Sequence, residues 1–236
     1  MTFAQLLVVQ SHDTAIDRLV HGRTNLPEFA ALASIEEEQA HLDQEHTNLT
    51  EQRHVVDREQ KRLEDDAAII TDRIDRENER LYSGSVTAHK DLQAIQEELV
   101  VLGRRRGEIE DLVLAQMELG EPIDAGIASV EAKIADVSGR RDAVTQSLAE
   151  SQAAIDAELV VEREQREAAA GEVDAELMAT YETTRGDCGG IGASRLVDKT
   201  CEGCHLQLSA IEIDRIRKAA EDELIRCGEC TRILVR

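Results

Sequence analysis

Aromatic residues are almost absent from this 236-residue chain, which has no tryptophan and only four aromatic side chains: Phe3, Phe29, Tyr82 and Tyr181. Aromatic side chains supply the largest buried area per residue in most cores, so we do not expect a thick, layered fold. Proline is as scarce, with Pro27 and Pro122 alone, and a chain so poor in this helix breaker can form very long helices. The charged fraction of 32% is typical of extended helices and coiled coils.

Long hydrophobic runs are also missing. No apolar segment approaches the ~20 residues that a transmembrane helix requires. Residues 1–20 carry no basic leader and are interrupted by charged residues such as Asp13 and Arg18, so we do not expect a secretory signal. These absences predict a cytoplasmic protein without membrane contact. In that reducing compartment, the five cysteines are expected to be metal ligands or free thiols rather than disulfides.

Acidic charge dominates the chain but is unevenly distributed. The net charge is −22, and residues 1–187 carry all of it, because residues 188–236 contain eight basic and eight acidic side chains. An acidic surface repels phosphate over a Debye length of about 8–10 Å. The first 187 residues are therefore unsuited to nucleic acid, and only the neutral C-terminal part is a candidate platform for it.

Residues 92–155 carry an unbroken heptad pattern. Two rows of positions spaced by seven, one starting at Leu92 and the other at Ile95, are apolar at fourteen of nineteen places. This repeat of about 3.5 residues is the seam of a coiled coil, which must face another helix along its length. Gly120 and Pro122 interrupt the seam without shifting its phase, so we expect a kink near Pro122 rather than a loop.

The first half of the chain has a thinner seam. Every seventh residue from Ile35 to Ile70 is apolar, and the row then moves to Ile74 and Leu81. The companion row is mostly polar: Gln39, His46, Arg53, Gln60 and Ala67. Such a row can line the wet flank of a two-stranded coil, or it can face a second copy of the chain.

A short turn joins the two heptad segments. Gly84 lies between Ser83 and Ser85, and a turn of this kind makes the flanking helices antiparallel neighbours. We therefore predict a mostly α fold, with a long antiparallel coiled-coil hairpin over residues 1–184 and a small α+β unit over residues 185–236. The predicted elements of the hairpin are a short helix over 1–21, a long helix over 28–82, a tip at 82–87 and a second long helix over 88–183, kinked near 122.

Two CxxC pairs in the C-terminal part predict a metal site. Cys201 and Cys204 form the first pair and Cys227 and Cys230 the second, with 22 residues between them. Four thiolates complete a tetrahedral shell that suits one structural Zn²⁺ per chain, as in a C4-type zinc ribbon. A capped helix is predicted from Ser209, and short strands are predicted over 223–226 and 232–235. Zinc would stabilise a unit that has too few apolar side chains to fold alone.

Three other interpretations of these cysteines are weaker. The CxxCH motif that ends at His205 matches covalent haem attachment, which needs an exported chain and an aromatic pocket. A redox dithiol is expected at a strand-to-helix junction of an α/β domain, which this sequence does not predict. A catalytic zinc needs an open position, whereas four thiolates close the shell. Cys188, the fifth cysteine, is interpreted as a free thiol in a glycine-rich linker.

Arg104, Arg105 and Arg106 form a basic triplet within the acidic part of the chain. The triplet could dock an acidic protein partner. The alternative is a solvated face of the coiled coil, with Arg106 extending outward from a seam position.

The tip and the C-terminal part resemble a known family. The residues that carry the resemblance are Leu81–Val86, Lys90–Leu99, Gly190–Leu196, Cys201–Leu208 and Cys227–Leu234. They are similar to those of bacterial C4-type zinc-ribbon proteins with an N-terminal coiled-coil hairpin. This resemblance, which covers nearly the whole chain, implies zinc ligation by the four paired cysteines and a non-enzymatic role as an adaptor. Some members are implied to contact an alternative sigma factor, messenger RNA or secretion components.

Six cations in the C-terminal part are candidate contacts for nucleic-acid phosphates: Arg215, Arg217, Lys218, Arg226, Arg232 and Arg236. Neighbouring carboxylates and a Zn(Cys)₄ centre of charge about −2 oppose this binding. No aromatic side chain in this part can stack on a base. Phosphate binding and a merely solvated surface therefore both stay open.

We predict a binding protein with no catalytic residues and no small-molecule substrate. The leading hypothesis is a regulatory adaptor that makes transcription-linked protein–protein contacts. The alternative is RNA or DNA binding through the zinc ribbon. The enzymatic hypothesis is a dithiol oxidoreductase, which one tightly held zinc on all four cysteines would exclude.

Overall fold

The structure, a computed structural model, describes residues 3–236; the first two residues of the helix predicted over 1–21 lie outside this range. The helices are α1 (Phe3–Thr24), α2 (Pro27–Tyr82), α3 (His89–Gly171), α4 (Ala175–Asp187) and α5 (Ala210–Lys218), and the strands are β1 (Ala193–Val197), β2 (Thr200–Cys201) and β3 (Ile233–Val235). The prediction of a mostly α fold with a small C-terminal α+β region is confirmed.

The chain divides into two compact units. The first, called the hairpin unit below, comprises Leu32–Ala143. The second, called the ribbon unit, comprises the described residues up to Ala31 together with Val144–Arg236. The ribbon unit therefore contains α1 and the end of α3 as well as the predicted zinc ribbon.

The two long helices of the hairpin unit run antiparallel. The apolar rows predicted from the heptad pattern form their seam, because every position in the two rows of α3 except Arg141 is buried or half-buried. Val130 and Val137 are among the most deeply buried residues of these rows. The antiparallel direction is visible in three ion pairs between α2 and α3, in which the residue number rises along α2 as it falls along α3. These pairs are Glu38–Arg140, Arg53–Asp124 and Arg73–Glu98.

The polar row of α2 contacts α3 of the same chain. Arg53 reaches across the seam, and its Nε lies 2.8 Å from the Asp124 carboxylate. A side chain at Gly120 would meet this guanidinium, since an added Cβ would lie 3.1 Å from Arg53 Cζ. The glycine in the seam therefore makes room for the arginine opposite. Helix α3 continues without a break through Pro122.

The tip of the hairpin unit lies between the end of α2 at Tyr82 and the start of α3 at His89. Gly84 adopts a φ of 72°, in the left-handed region that glycine enters without steric cost. The reversal thus depends on the residue that the sequence pattern indicated.

Helix α1 packs along α3 and against the strands of the ribbon unit. Arg23 and Asp156 form an ion pair at 2.7 Å between the two helices. On its other side, Leu6 and Val9 are fully buried in a core that also contains Tyr181, Ala193 and Ile233. The N-terminal helix therefore covers the apolar surface formed by α4 and by strands β1 and β3.

The single helix predicted over 88–183 is two helices in the structure. Helix α3 ends at Gly171, and the side chain of Asp174 accepts hydrogen bonds from the N–H groups of Glu176 and Leu177 at the start of α4. An aspartate at this position satisfies N–H groups that have no partner within the helix, and so favours a new helix start. The heptad pattern alone does not reveal this cap.

A three-stranded sheet in the order β2-β1-β3 supports the metal site. Strand β1 pairs antiparallel with β2 and parallel with β3. Of the two predicted strands, 232–235 corresponds to β3, whereas 223–226 contributes only an isolated bridge between Arg226 and Ile233. The central strand β1 was not predicted: β2 spans only two residues, and the parallel partner β3 is distant in sequence.

Candidate metal centre

The first cysteine pair lies in a tight turn that begins at Cys201, the last residue of β2. The N–H of Cys201 donates to the carbonyl of Leu206 at 3.1 Å, and the N–H of His205 donates to the carbonyl of Cys201 at 2.7 Å. His205 closes this turn with a φ of 57°, which non-glycine residues seldom adopt. The backbone thereby turns both thiols of the pair to the same side.

The second pair repeats this geometry. The N–H of Cys227 donates to the carbonyl of Arg232, and the N–H of Thr231 donates to the carbonyl of Cys227, both at 2.9 Å. Thr231 has a φ of 62° at the position equivalent to His205. Two copies of one turn thus face each other, although the glutamate and glycine between the cysteines stand in opposite order in the two turns.

The four thiols converge. The sulfur of Cys201 lies 3.9 Å from that of Cys230, and the sulfur of Cys204 lies 4.0 Å from that of Cys227. All four sulfurs lie within 4.8 Å of one another. A tetrahedron of thiolates around Zn²⁺ at about 2.3 Å has edges of about 3.8 Å, so these sulfurs fit one structural zinc ion. Four protein ligands would leave no coordination position for water or substrate.

Each turn is contacted by a side chain from elsewhere in the ribbon. A Cβ added to Gly203 in the first turn would lie 2.6 Å from Arg232 Cδ, and one added to Gly228 in the second turn would collide with the Glu212 carboxylate. Glu212 belongs to the capping box at Ser209, which is present as predicted. The glycines between the cysteines are therefore positions of close approach.

Two further groups lie beside the sulfurs. The hydroxyl of Ser194, buried in β1, lies 3.3 Å from the sulfur of Cys201. The thiol of Cys188 lies 3.4 Å from the carbonyl oxygen of Cys230, so the fifth cysteine is next to the cluster rather than in a remote linker. The sequence carries no short-range signal for either contact, because both cross to another segment of the chain.

The protein environment shifts the thiol pKa values in opposite directions. Burial raises the pKa of Cys227 to about 12. For Cys230, burial also opposes ionisation, but hydrogen bonds from the Arg232 backbone and side chain outweigh it and lower its pKa to about 7. Burial raises the pKa of Cys204 as well. Since zinc binds thiolates, these shifts make its binding dependent on pH.

Three of the candidate nucleic-acid contacts donate hydrogen bonds within the ribbon unit. Arg226 binds the carbonyl of Thr231, and Arg232 binds the carbonyls of Ile191 and Cys188. Arg236 donates to the carbonyl of Ile216 in the last turn of α5, and to those of Ala219 and Ala220 just after the helix. These arginines hold the end of α5 and the lead-in segment in place around the cysteine turns.

The other three candidate contacts lie exposed on α5. Lys218 forms an ion pair with Asp214 one turn earlier, and Arg215 and Arg217 are exposed. Three of the six cations thus donate hydrogen bonds to carbonyls of the ribbon unit, although Arg226 and Arg236 are also exposed, and the other three lie on the surface of α5. A phosphate-binding role for them stays a prediction.

The basic triplet lies on α3 in the hairpin unit. Arg104 and Arg105 lie 3.8 and 3.3 Å from Glu108, and Arg106 lies 3.2 Å from Glu110. All three ion pairs are within the helix; Arg104 and Arg105 are exposed to solvent, whereas Arg106 is half-buried at its seam position. Partner docking at this triplet therefore also stays a prediction.

Comparison with known families matches both parts of the chain. The family described as the CT398-like coiled coil hairpin domain matches residues 9–189, and the C4-type zinc ribbon domain matches residues 200–234. Neither is a known enzyme family. Among the described residues, no helix has the length and apolar character needed to cross a bilayer.

Relatives and solved structures extend over almost the whole chain. Two proteins of Mycobacterium tuberculosis, the uncharacterised proteins MT2288 and Rv2229c, are each 32% identical over 98% of this chain and 94% of their own length. A Mycobacterium smegmatis structure superposes with a TM-score of 0.88 at 25% identity, covering 99% of this chain and 97% of that one. CT398 from Chlamydia trachomatis shares the fold, with a TM-score of 0.66 at 19% identity over 98% of this chain and 95% of its own.

Proposed function

Because the chain belongs to the family of CT398-like coiled-coil hairpin proteins with a C4-type zinc ribbon, we propose that it is a non-enzymatic adaptor that binds macromolecular partners. The observation that carries this proposal is the convergence of all four paired cysteines on one point. A zinc ion held there would have a closed shell, which suits a structural role and not Lewis-acid chemistry.

The surroundings of the cysteines support the same conclusion. The capping box of Glu212 and the arginine hydrogen bonds to backbone carbonyls hold the two turns together, which is a structural task. Zinc would then stabilise a small unit whose surface, rather than its metal, contacts the partner.

A protein partner is favoured over nucleic acid. Arg226, Arg232 and Arg236 are engaged with backbone carbonyls, so only part of the predicted cationic set is left for phosphate. The alternative, RNA or DNA binding through the ribbon, is supported by the exposure of Arg215 and Arg217 on α5. For the protein partner, the family resemblance implies that some members contact an alternative sigma factor, and this favours the transcription machinery.

Direct binding measurements with the full-length zinc-loaded protein test this proposal. Purified RNA polymerase and purified sigma factors are presented to the immobilised protein, and RNA and duplex DNA are tested by gel shift at about 50 and 200 mM salt. We expect saturable binding to a polymerase subunit or sigma factor, and no nucleic-acid shift at the higher salt.

A charge-reversal pair separates the two candidate functions. Arg215→Glu with Arg217→Glu removes the exposed cations of α5, and Arg62→Glu is the control, because Arg62 is a similarly exposed arginine on α2. Nucleic-acid binding that is lost in the α5 variant and kept in the control would establish the alternative. Absence of binding to every transcription protein would refute the transcription-linked role.

A further inference from the structure

One outward face of α3 in the hairpin unit combines exposed apolar and charged side chains. Val101 and Leu112 expose 54% and 51% of their surface, as do other apolar residues of this helix such as Leu119. Positions 101, 105, 108 and 112 are separated by four, three and four residues, so they share one face. Each of these four positions directly precedes a seam position, namely 102, 106, 109 and 113. Because one residue of an α-helix is a rotation of about 100°, the face lies about 100° around the helix from the seam.

The charges on this face change sign at its centre. Arg104 and Arg105 lie on the N-terminal side, and Glu108 and Asp111 lie on the C-terminal side. The order from Val101 is therefore apolar, basic, basic, acidic, acidic, apolar. Among these six residues, the reversed order presents acid to base and apolar to apolar, with Arg104 and Asp111 offset by two residues from direct opposition. The face is complementary to itself over this span.

We propose that this face, defined by Val101, Arg104, Arg105, Glu108, Asp111 and Leu112, binds the same face of a second copy in antiparallel orientation. The resulting interface is isologous, with a two-fold axis between residues 106 and 107. The inference rests on α3 alone and depends neither on zinc nor on the proposed adaptor role.

Antiparallel pairing about this axis assigns each contact. Val101 packs against Leu112 of the second copy, and Arg105 meets Glu108 of the second copy. Arg104 meets Asp111 of the second copy at the rim, in the manner of flanking charges in a coiled coil. The two-fold axis makes each contact twice, giving two apolar pairs and four ion pairs.

The ion pairs within one chain do not block this exchange. Arg104 and Arg105 share one carboxylate, Glu108, at 3.8 and 3.3 Å, and expose 75% and 62% of their side chains. Asp111 is exposed. A second copy would give each arginine a carboxylate of its own, without requiring any change in the helix.

Charge favours a second copy over other occupants of this face. The net charge of −22 by itself opposes the association of two copies, so it is the local pattern of opposite charges on this face that favours their pairing. An anionic membrane would match Arg104 and Arg105 but would be repelled by Glu108 and Asp111. Only a surface with the same alternation in reverse satisfies both halves, and the chain itself supplies one.

Sedimentation equilibrium on the full-length protein, over about 10–300 µM, tests the proposal. We expect a reversible dimer of twice the 26.1 kDa chain mass. The variant Arg104→Glu with Arg105→Glu makes the face wholly acidic, and the variant Glu108→Arg with Asp111→Arg makes it wholly basic. Each should weaken self-association by about a hundredfold or more, because like charges then meet across the axis.

Mixing the two charge variants gives the decisive measurement. An equimolar mixture should form a one-to-one dimer, since every ion pair is restored with opposite charges on opposite chains. A single chain carrying all four substitutions should again dimerise with itself. Circular dichroism checks that each variant keeps its helix content, so that loss of the dimer is not loss of the fold.

Matched surface variants serve as controls. Val101→Ser with Leu112→Ser should weaken the dimer, whereas Val55→Ser should not, because Val55 is equally exposed but lies on α2. Arg62→Glu likewise should leave the dimer intact. A chain that stays monomeric up to about 300 µM, a dimer unaffected by both charge variants, or a mixture that fails to pair would each overturn the proposal.

Discussion

The hydroxyl of Tyr181 donates a 2.6 Å hydrogen bond to the carboxylate of Asp13, although the two residues are 168 positions apart in the chain. Both side chains are buried. Arg166 donates to the same carboxylate at 2.7 Å from α3, and the Nε of Arg185 lies 3.5 Å from it. One aspartate on α1 therefore joins α3 and α4, and holds the N-terminal helix against the ribbon.

Removing this carboxylate should destabilise the ribbon unit strongly. Asp13→Ala removes the anion shared by Arg166 and Arg185, and such a loss of charged hydrogen bonds typically costs about 1.5–3 kcal/mol. Both arginines are half-buried and keep a second carboxylate partner, Glu182 for Arg166 and Asp17 for Arg185. Tyr181→Phe removes only one hydrogen bond and should cost about 1–2 kcal/mol. Urea unfolding followed by hydrogen exchange of the α1 amides measures both effects.

Asp17→Ala is the matched control for this cluster. Asp17 also pairs with Arg185, at 2.7 Å, but half of its side chain is exposed to solvent. An exposed ion pair contributes about 0–1 kcal/mol, so this variant should stay close to wild type. Equal losses in the Asp13 and Asp17 variants would show that burial of the cluster does not determine its contribution.

Chelation of zinc should loosen α1 as well as the ribbon. The sheet that carries the cysteine turns also supplies Ala193 and Ile233 to the core around Leu6 and Val9. A metal-free ribbon should therefore expose the α1 amides to hydrogen exchange, while those in the middle of α2 and α3 stay protected. Cys201→Ser should bind no stoichiometric zinc and reproduce this pattern, and protection of α1 in the metal-free protein would contradict it.

Zinc affinity should fall steeply as the pH decreases. Zinc must displace protons from Cys204 and Cys227, whose pKa values are raised by burial, and below about pH 7 also from Cys230. Two or more displaced protons predict a loss of about a hundredfold or more per pH unit. Competition with a chromogenic chelator between about pH 6 and pH 8 measures this slope, and a flat profile would contradict it.

Any metal-free ribbon that keeps its fold should depend on pH in the opposite direction through Cys227, and should become less stable as the pH rises. The raised pKa of Cys227 means that the folded chain holds this proton more tightly than the unfolded chain does. The corresponding stability is fully present below the ordinary thiol pKa of about 8.5 and is lost as the pH rises toward about 12. Urea unfolding of the chelated protein on either side of about pH 8.5 checks this direction.

The sequence was sufficient where the signal is periodic or local. The heptad rows from Leu92 and Ile95 predicted the seam, since a repeat of 3.5 residues has one structural solution in a long helix. The CxxC pairs predicted the convergence of four sulfurs, which the structure shows. Gly84 predicted the tip because the left-handed φ that the turn requires depends on that residue alone.

The sequence failed where a contact joins distant segments. The packing of α1 on β1 through Gln10, whose side-chain oxygen accepts from the N–H of Gly192 at 2.7 Å, has no periodic signature. The internal hydrogen bonds of Arg232 and Arg236 end on backbone carbonyls, which every residue possesses. Such arginines cannot be told from surface cations by composition alone.

Gly120 should respond to substitution differently from Gly139 on the same helix. Alanine in an exposed helix interior is favoured over glycine by about 0.5–1 kcal/mol, and nothing lies within 4 Å of the side chain that Gly139→Ala would add. Gly120→Ala should lack this gain, because its Cβ would lie 3.1 Å from the Arg53 guanidinium and displace it from Asp124. Thermal unfolding of the two variants measures the difference.

A double-mutant cycle identifies the cause of that difference. In an Arg53→Ala background the guanidinium is absent, so Gly120→Ala should then stabilise the hairpin as much as Gly139→Ala does. Gly139→Ala should give the same gain in both backgrounds, since it has no contact with Arg53. If Gly120→Ala stabilised the wild-type chain fully, the glycine would not be accommodating the arginine, and the polar interruption of the seam would need another explanation.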